Sequence, residues 1–582
     1  MPSTRLRLQR RRARRAGGPT VQKHRRATSA KASRAESDGG SASSSYASED
    51  AASESEDDGA GHASADSVTI TLEAGQRLVL IGSAALTCLS GVLEVHGARL
   101  TPETAELEVH SPKWLPALVV CAPQAHRGEA GVLHLRRLDA PSVVSAAGDA
   151  RDVGAVAGDF FRVETCCALR FDNQPATDAA AALRAAAYDE PHRWRSAAQG
   201  WRGASAVICG RQGAGKSTFA RLLVNTRLAK HATIAVLECD LGQPMLGAPG
   251  CISLKLVRKP LLKAPHAHCA LPEAETVVQF FLGDVSPKDA PGAYTNAIGK
   301  CCDAWRAYHS DMPLVVNTCG WIAGLGAELL SAILSLVEPQ NTFVVGEPGF
   351  PEGSTLGNAF LNHRASYVGT FARPDDGKAA APAVARRALS LAAYFAPDAK
   401  GALARNGTLS DGDSATARAL LRQTALAAPY AHLAMGLVGG AAQCCLATPE
   451  DALRALIGSV VALASQTDAQ HLAVSVSASA NGPAVLAGEC SDVPIAGLAL
   501  VRGLDLVRRE LLLLTPLPRE TVEQCDLLLR GAMMPPTQLL YSPMDTTSFP
   551  FLTCESLSSD LATSMKSRNN ITRKVHAQSA KR

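Results

Sequence analysis

Eight residues, Gly210 to Ser217, combine glycines, a lysine and a serine in the spacing Gly-x-x-x-x-Gly-Lys-Ser. Glycines let backbone N–H groups approach a polyphosphate closely, and a lysine in this position reaches its outer phosphates. A serine hydroxyl after the lysine is a ligand for Mg²⁺. The stretch therefore predicts a P-loop for a nucleoside triphosphate. The residues expected to contact the nucleotide are Gly210, Arg211, Gln212, Gly213, Ala214, Gly215, Lys216, Ser217 and Thr218.

The flanking sequence supplies the elements that a P-loop requires. Ala204–Cys209 is an apolar run, and residues 218–225 have the composition of a helix. A glycine-rich turn between a strand and a helix directs backbone N–H groups and the positive end of the helix at the same anion. The order of elements thus favours the nucleotide site that the spacing predicts.

A second stretch, Ala235–Pro244, carries two acids and a glutamine at the end of the next apolar run. A carboxylate at the end of such a strand can complete a metal shell or accept a proton from a hydroxyl group. This indicates chemical roles for Glu238, Asp240 and Gln243. A strand-to-loop turn with polar caps would have a similar composition, so the stretch alone leaves both interpretations open.

Apolar runs and helical patterns alternate through the centre of the chain. This alternation predicts a doubly wound parallel α/β sheet with its ligands at the carboxyl ends of the strands. Further strands are expected at Thr233–Glu238, Leu314–Asn317 and Asn341–Val345, and helices around 218–229, 291–309 and 324–337.

The rest of the chain changes character on either side of this P-loop domain. Short segments of period two predict an N-terminal all-β module. The mixed pattern near the C-terminus predicts an α+β or β-rich domain. The expected parts are a disordered basic then acidic arm at 1–66, the β-rich module at 67–170, the P-loop domain at 195–400, the C-terminal domain at 415–560 and a basic tail at 563–582.

Charge is distributed unevenly, although the whole chain carries a net charge of only +4. Residues 1–34 hold twelve basic residues and no acid, and residues 35–66 hold nine acids and no base. A basic arm of this kind is typical of delivery to the nucleus or nucleolus, or of a non-specific RNA-binding arm. The acidic serine run is either a phosphorylated segment or, as we prefer, a spacer.

Composition argues against several classes of protein. The sixteen cysteines contain no Cys-x-x-Cys spacing, which favours reduced thiols in an intracellular protein. The N-terminus lacks the apolar core of a signal peptide. The most apolar long stretch, residues 431–447, contains His432, Gln443 and three glycines and falls short of a membrane span. We expect a soluble protein without a membrane partner.

The ordered succession of motifs resembles the eukaryotic polynucleotide 5′-hydroxyl-kinase family, whose members move the γ-phosphate of ATP to the 5′-OH of RNA or DNA. The resemblance spans roughly residues 67–545, and the C-terminal motifs are similar to the nucleolar branch that processes pre-ribosomal RNA. Phe281–Pro287 looks like the family's clasp segment, and Asn317–Gly324 looks like its substrate-stacking segment. The motifs that carry the resemblance are the P-loop, Asp240–Pro244, Pro249–Leu254, Phe281–Pro287, Asn317–Gly324, Val501–Asp505 and Leu514–Pro516.

The resemblance implies a division of roles among these residues. ATP would be the phosphate donor, an RNA with a 5′-OH end the acceptor, and an endoribonuclease a partner in a heteromeric complex. Catalytic roles fall on Lys216, Asp240, Gln243, Arg386 and Arg387. Mg²⁺ would be held by Ser217, Glu238 and Asp240, and the substrate by Ser286, Pro287, Thr318, Gly320 and Trp321.

Some of these roles have structural alternatives. Trp321 could be a core residue instead of a stacking platform for the terminal base, and Ser286 and Pro287 could form a plain loop turn. Arg386 and Arg387 match a lid over the γ-phosphate, but paired arginines on a helix are also common on a solvated face. Glu238 stands where the family usually has aspartate, and the arginine spacing of the lid does not match cleanly.

Two rival functions follow from the same residues. The chain could belong to the branch that acts in messenger-RNA 3′-end formation or transfer-RNA splicing, as a kinase or a kinase-derived scaffold. It could also be a nucleotide-gated assembly factor without phosphoryl transfer, although no Asn-Lys-x-Asp motif for guanine is evident.

Overall fold

The structure is a computed structural model that describes most of the chain from residue 67 onwards. The internal contacts divide the chain into two units, Met1–Gly61 and His62–Arg582, and every element below belongs to the second. In the described part, no helix combines the length and apolarity needed to cross a membrane. The described residues are 67–111, 118–123, 130–136, 160–163, 166–171, 192–269, 274–346, 354–363, 365–370, 383–395, 424–444, 446–479 and 482–535.

The N-terminal residues form an antiparallel sheet, as the period-two pattern predicts. Its centre is the long strand β2, which pairs with four other strands, and alternate apolar side chains of the sheet fill one core. The predicted arm at 1–66 lies outside the described residues. The strands are β1 Ser67–Leu72, β2 Arg77–Ser90, β3 Leu93–Val95, β4 Ala98–Leu100, β5 Leu107–Ser111, β6 Leu118–Cys121, β7 Gly131–Arg136, β8 Phe160–Val163 and β9 Cys166–Phe171.

The central residues form a seven-stranded sheet in the order β13-β12-β11-β14-β10-β15-β16. Five strands, β11, β14, β10, β15 and β16, are parallel to one another, whereas β12 and β13 add an antiparallel edge. The strands are β10 Ser205–Gly210, β11 Ile234–Glu238, β12 Cys251–Val257, β13 Ala274–Phe281, β14 Leu314–Asn317, β15 Asn341–Val345 and β16 Ser366–Tyr367. The helices are α1 His192–Gly200, α2 Lys216–Leu228, α3 Pro291–Tyr308, α4 Leu325–Val337, α5 Thr355–Asn362 and α6 Ala383–Phe395.

Helices cover both faces of the central sheet. Along β10, Val207 and Cys209 pack in the core that contains α3, α4 and α5, while Ala206 and Ile208 pack with α1 and α2. Successive side chains of a strand point to opposite faces, so this alternation explains why the strand is apolar throughout. The doubly wound α/β fold is therefore confirmed, with the antiparallel edge as an addition that the sequence did not predict.

The C-terminal residues form an eight-stranded mixed sheet in the order β17-β23-β22-β19-β24-β18-β21-β20. Two short helices, α7 Pro449–Leu456 and α8 Arg519–Glu523, accompany it. The predicted basic tail at 563–582 lies outside the described residues. The strands are β17 Leu426–Pro429, β18 Ala434–Leu437, β19 Val460–Ala464, β20 Val474–Val476, β21 Ala484–Glu489, β22 Ile495–Asp505, β23 Glu510–Leu514 and β24 Leu527–Arg530.

Helix α6 is fastened to this C-terminal sheet. Leu389, Ala392 and Phe395 are buried in the same core as the inward-facing residues of β19 and β22. The Tyr394 hydroxyl accepts a hydrogen bond of 2.9 Å from the backbone N–H of Leu498. The helix that carries the two predicted lid arginines is thus held along its C-terminal half by another part of the fold.

The N-terminal sheet contacts the P-loop helix through His96. Its Nε2 donates to the carbonyl of Thr218, 3.1 Å away, and its own carbonyl accepts from Asn225 Nδ2 at 2.9 Å. Burial, with a smaller contribution from the Arg221 guanidinium, lowers the pKa of His96 to about 3. The first turn of α2 is therefore braced by a neutral histidine.

A second group of buried histidines joins β5 to the 3₁₀ turn Pro265–His268. The rings of His110 and His266 meet edge to face at 5.4 Å, and Ser83 Oγ lies 2.8 Å from His110 Nδ1. Burial and the neighbouring His268 lower the pKa of His266 to about 3. Burial, His266, Lys263 and His268 all lower the pKa of His110.

The lowered pKa values of these buried histidines predict that acid destabilises the folded protein. Their folded-state pKa values lie below the ordinary value of about 6.5, so the unfolded chain binds more protons below that pH. The free energy of unfolding should be fully present above about pH 6.5 and should fall as the pH drops towards 4. Urea unfolding between pH 7.5 and 5 measures this slope. A His266→Gln variant should have a shallower slope, and an identical slope would contradict the assignment.

Candidate active site

Three glycines of the P-loop adopt backbone conformations that other residues could adopt only with strain. Gly210, Gly213 and Gly215 have φ angles of 143°, 78° and 103°, a region that favours glycine. A Cβ atom on Gly210 would lie 2.3 Å from the carbonyl oxygen of Val345. The loop tip, including Arg211 and Gln212, is exposed. The backbone is therefore shaped to leave an accessible cradle before α2.

Lys216 opens α2 and is buried, with 6% of the residue exposed. Its Nζ donates to the carbonyl of Arg211 at 3.1 Å. Burial lowers the pKa of Lys216, and the nearby Asp240 carboxylate raises it. A buried ammonium group that donates to a loop carbonyl is suited to exchange that carbonyl for an anionic ligand.

Glu238, the last residue of β11, connects the loop that follows it with the end of β14. It is 1% exposed, and its two oxygens accept hydrogen bonds from the backbone N–H groups of Asp240 at 3.1 Å and Met245 at 2.7 Å. Asn317 Nδ2 donates to Glu238 Oε1 at 2.8 Å. Burial first, and then Asp240, raise the pKa of Glu238 to about 8. The carboxyl group is thus used inside the protein to hold the loop that follows it.

Asn317 extends this connection to the P-loop. It ends β14, is fully buried, and its Oδ1 lies 3.5 Å from Ser217 Oγ, which donates to it. Ser217 is therefore linked to Glu238 through one amide group. Sequence reasoning did not select Asn317 as a site residue, although a polar side chain at the end of the buried run Leu314–Asn317 was a signal that could have identified it.

Asp240 lies beside the P-loop lysine and shapes its own loop. Its Oδ1 accepts from the backbone N–H groups of Gly242 and Gln243, each at 3.0 Å. Its charge raises the pKa of Lys216 and also that of Arg387. The half-buried Asp240 carboxylate is thus electrostatically coupled to two cations that come from distant parts of the chain.

The two predicted lid arginines are not equivalent. Burial lowers the pKa of Arg387, and the Asp240 and Asp284 carboxylates raise it. Arg386 is the neighbouring residue on the helix, and its backbone carbonyl accepts from Ser390 Oγ at 3.1 Å. The electrostatic coupling of Arg387 to two carboxylates of the site favours Arg387 as the arginine that acts there.

The residues expected to bind substrate after β14 lie next to the P-loop. Gly320 approaches it so closely that a Cβ atom there would be 2.6 Å from the backbone N of Gln212. The Thr318 hydroxyl is buried and donates to the carbonyl of Ile208 at 2.7 Å, a structural bond. Trp321 is half-buried, with its ring packed over Gly326. One part of Trp321 therefore belongs to the core while another part is exposed, and its role in stacking stays a prediction.

The clasp segment, Phe281–Pro287, passes the Asp240 loop. Ser286 precedes a short 3₁₀ turn, and its hydroxyl accepts from the backbone N–H of Lys288 at 3.3 Å. Pro287 is buried at the start of that turn. These contacts describe a rigid turn, and the contact of Ser286 and Pro287 with a substrate stays a prediction.

The Glu238–Asn317 hydrogen bond should stabilise both the fold and the site. An Asn317→Ala substitution leaves a buried carboxyl oxygen without its amide donor, and we expect the free energy of unfolding to fall by about 1–3 kcal/mol. The affinity for a fluorescent ATP analogue should fall as well, because Ser217 loses its partner. Asn358→Ala, on the exposed side of α5, is the control and should change stability by less than about 0.5 kcal/mol. Equal effects in urea unfolding would contradict this role.

The fold and the site together define a P-loop nucleotide-binding protein. A glycine loop lies between a central parallel strand and a helix N-terminus, with an acidic loop on the next-but-one strand of the sheet. This class is supported by a family model, "mRNA cleavage and polyadenylation factor CLP1 P-loop", which matches residues 210–370.

The chain is homologous to proteins named polynucleotide 5′-hydroxyl-kinase. It is 28% identical to polynucleotide 5′-hydroxyl-kinase NOL9 of Arabidopsis thaliana over 372 residues, which cover 60% of this chain and 92% of the relative. It is 37% identical to polynucleotide 5′-hydroxyl-kinase GRC3 of Gibberella zeae over 153 residues, which cover 25% of this chain and 21% of the relative. These relatives confirm the resemblance seen in the sequence motifs.

Solved structures are also similar to this chain. The structure of a wild-type Clp1p–Pcf11p complex aligns with a TM-score of 0.48 and 16% identity, over 80% of this chain and 98% of that chain.

Proposed function

We propose that this protein is an ATP-dependent polynucleotide 5′-hydroxyl kinase that phosphorylates the 5′-OH end of cleaved RNA during pre-ribosomal RNA processing. The observation that carries the proposal is that the P-loop with Lys216 and the loop with Asp240 follow the carboxyl ends of two strands of the parallel sheet, with Asp240 electrostatically coupled to both Lys216 and Arg387. Phosphoryl transfer needs cations around the transferred group and a group that orients the attacking hydroxyl. Homology to proteins named for this activity supports the same reaction.

The residues present fit ATP and Mg²⁺. The three P-loop glycines have positive φ angles. Lys216 is the first residue of helix α2, and helix N-termini are places where phosphates bind. Mg²⁺ prefers oxygen ligands, which Ser217 and Asp240 offer. We do not assign Glu238 as a direct Mg²⁺ ligand, because backbone N–H groups and Asn317 already donate hydrogen bonds to its oxygens. When bound, Mg²⁺ neutralises charge on the phosphates.

In the proposed reaction, the 5′-oxygen of the RNA attacks the γ-phosphorus while the bond from that phosphorus to the β–γ bridging oxygen breaks. The proton of the hydroxyl group passes to Asp240, and ADP leaves. Lys216 and Arg387 stabilise the charge that develops on the transferred group. A carboxylate is a weak base, but this suffices here, since positioning and electrostatics supply most of the acceleration.

The acceptor end would lie between the clasp segment and Trp321. An aromatic face accepts any base by stacking, which suits an enzyme that must act on many RNA ends. Gln243 adjoins Asp240 and would help to position the hydroxyl or a water molecule. The basic arm at residues 1–34 favours a nucleolar location and an RNA-rich environment. A protein partner with endoribonuclease activity would supply the 5′-OH end.

The proposed reaction predicts a clear result for two substitutions. Wild-type protein should transfer the labelled γ-phosphate of ATP to a short 5′-OH RNA, and Lys216→Ala and Asp240→Asn should each reduce transfer at least about 100-fold. Circular dichroism must show that both variants are folded. If wild-type protein binds ATP but transfers no phosphate, alone or with a partner nuclease, the proposal fails and a nucleotide-gated assembly factor becomes the better account.

Substitutions of the two arginines of α6 should have different effects in the same assay. Arg387→Ala should lower kcat about 100-fold, because a charge that faces the transferred group is lost, while the affinity for nucleotide changes little. Arg386→Ala is the matched neighbour and should retain most of the rate. If Arg386→Ala had the larger effect on kcat, the assignment of Arg387 to the site would be wrong.

A further inference from the structure

The clasp segment touches the C-terminal sheet at a pair of glycines, Gly283 and Gly531. A Cβ atom on Gly283 would lie 2.4 Å from the Cα of Gly531, and one on Gly531 would lie 2.3 Å from the Cα of Gly283. The backbone N–H of Met533 donates to the carbonyl of Gly283 at 2.6 Å. The two backbones are therefore in direct contact, with no room for a methyl group.

Further contacts fix the same point of the clasp from other sides. The backbone N–H groups of Leu282 and Gly283 both donate to the carbonyl of Gly250, at 2.9 and 3.2 Å. A Cβ atom on Gly439, which follows β18, would lie 2.4 Å from the carbonyl oxygen of Leu282. The side chain of Met533 fills the space above Gly250, 3.3 Å from where a Cβ atom there would lie. The clasp is thus enclosed by the C-terminal sheet and by Gly250, which directly precedes β12.

The clasp also lies against the Asp240 loop. The carbonyl oxygen of Val285 would be 3.1 Å from a Cβ atom on Gly242, whose N–H donates to Asp240 Oδ1. Burial raises the pKa of Asp284, and Arg387 lowers it, so Asp284 shares its cation with Asp240. A displacement at Gly283 would therefore reach the site within one or two residues.

We propose that the contact between Gly283 and Gly531 positions the clasp segment for the acceptor RNA, which makes Gly531 a positioning residue for the polynucleotide and not for the nucleotide. This inference rests on the proposed function for its substrate. Its physical basis is the absence of space between the two backbones, and it links the C-terminal sheet to acceptor binding.

The clasp is the side that must yield if Gly531 gains a side chain. Gly531 directly follows β24, which is paired on both edges, with β18 and with β19. The φ angle of Gly531 lies outside the left-handed region, so alanine is acceptable to the backbone and only space is at issue. A methyl group should therefore displace the clasp relative to the Asp240 loop while leaving the P-loop in place.

The test compares Gly531→Ala with Gly503→Ala in the full-length protein. Gly503 lies in β22 of the same sheet, also with an ordinary φ angle, and its nearest neighbour to an added Cβ is Leu512 Cδ1 at 3.8 Å. The KM for a 5′-OH RNA oligonucleotide should rise about tenfold in Gly531→Ala, which corresponds to about 1.4 kcal/mol. The KM for ATP and the affinity for a fluorescent ATP analogue should stay within about twofold, a split that general destabilisation would not produce.

Hydrogen exchange gives a readout that does not depend on kinase activity. Peptides covering residues 281–289 should exchange at least about tenfold faster in Gly531→Ala than in wild type, with the P-loop peptide unchanged. If Gly531→Ala fails to fold, Met533→Ala replaces it, because it removes packing without adding a clash, and a smaller change in the same direction is expected.

Two results would overturn the inference. Unchanged exchange of residues 281–289 in a folded variant would show that the glycine contact does not position the clasp. A parallel loss of RNA and nucleotide affinity would show a general structural role. Loss of phosphate transfer in the wild-type protein itself would instead refute the proposed function, while the exchange result would still decide whether the contact holds the clasp.

Discussion

A buried carboxyl group at the end of β11 holds the site together. Glu238 accepts hydrogen bonds from two segments, from backbone N–H groups of the loop that follows β11 and from Asn317 at the end of β14. Ser217, which follows the P-loop lysine, is linked to it indirectly, through the same amide group. A buried carboxyl group is costly unless it is hydrogen-bonded, so these two segments stabilise it and it fixes their relative positions.

Charged side chains near this carboxyl group are coupled to one another. Asp240 interacts electrostatically with Lys216 and Arg387, and Asp284 with Arg387. Burial lowers the pKa of both cations, whereas the carboxylates raise it. Because the cations come from the P-loop and from a helix held by the C-terminal sheet, the electrostatic arrangement requires both the central and the C-terminal sheet. An anionic ligand would enter a place where positive charge is already fixed and partly desolvated.

Local patterns in the sequence were sufficient for the central strands. The expected runs Leu314–Asn317 and Asn341–Val345 coincide with β14 and β15, and the predicted P-loop helix coincides with α2 to within two residues. The predicted boundaries of the domains and the assigned roles of the site residues stay predictions. Buried parallel strands and glycine spacing are local signals, and they are therefore readable without a structure.

Contacts between segments that are far apart in the sequence could not be predicted from local patterns. The antiparallel edge of β12 and β13 depends on pairing with β11, which no periodic pattern specifies. The preference for Arg387 over Arg386 depends on the electrostatic coupling of Arg387 to Asp240 and Asp284, which lie more than a hundred residues earlier in the sequence. The contact between Gly283 and Gly531 joins residues far apart in sequence, and neither glycine carries a side chain that could signal it.

The most direct test of the central claim is the fate of the γ-phosphate in a single turnover with enzyme in excess over labelled ATP. A kinase site that orients a 5′-hydroxyl group should place the label on a 5′-OH RNA and leave little inorganic phosphate. With a 5′-phosphorylated RNA of the same sequence, the label should stay in ATP. Release of the label as inorganic phosphate at the same rate with either RNA would contradict the account, because it would show that water is the acceptor.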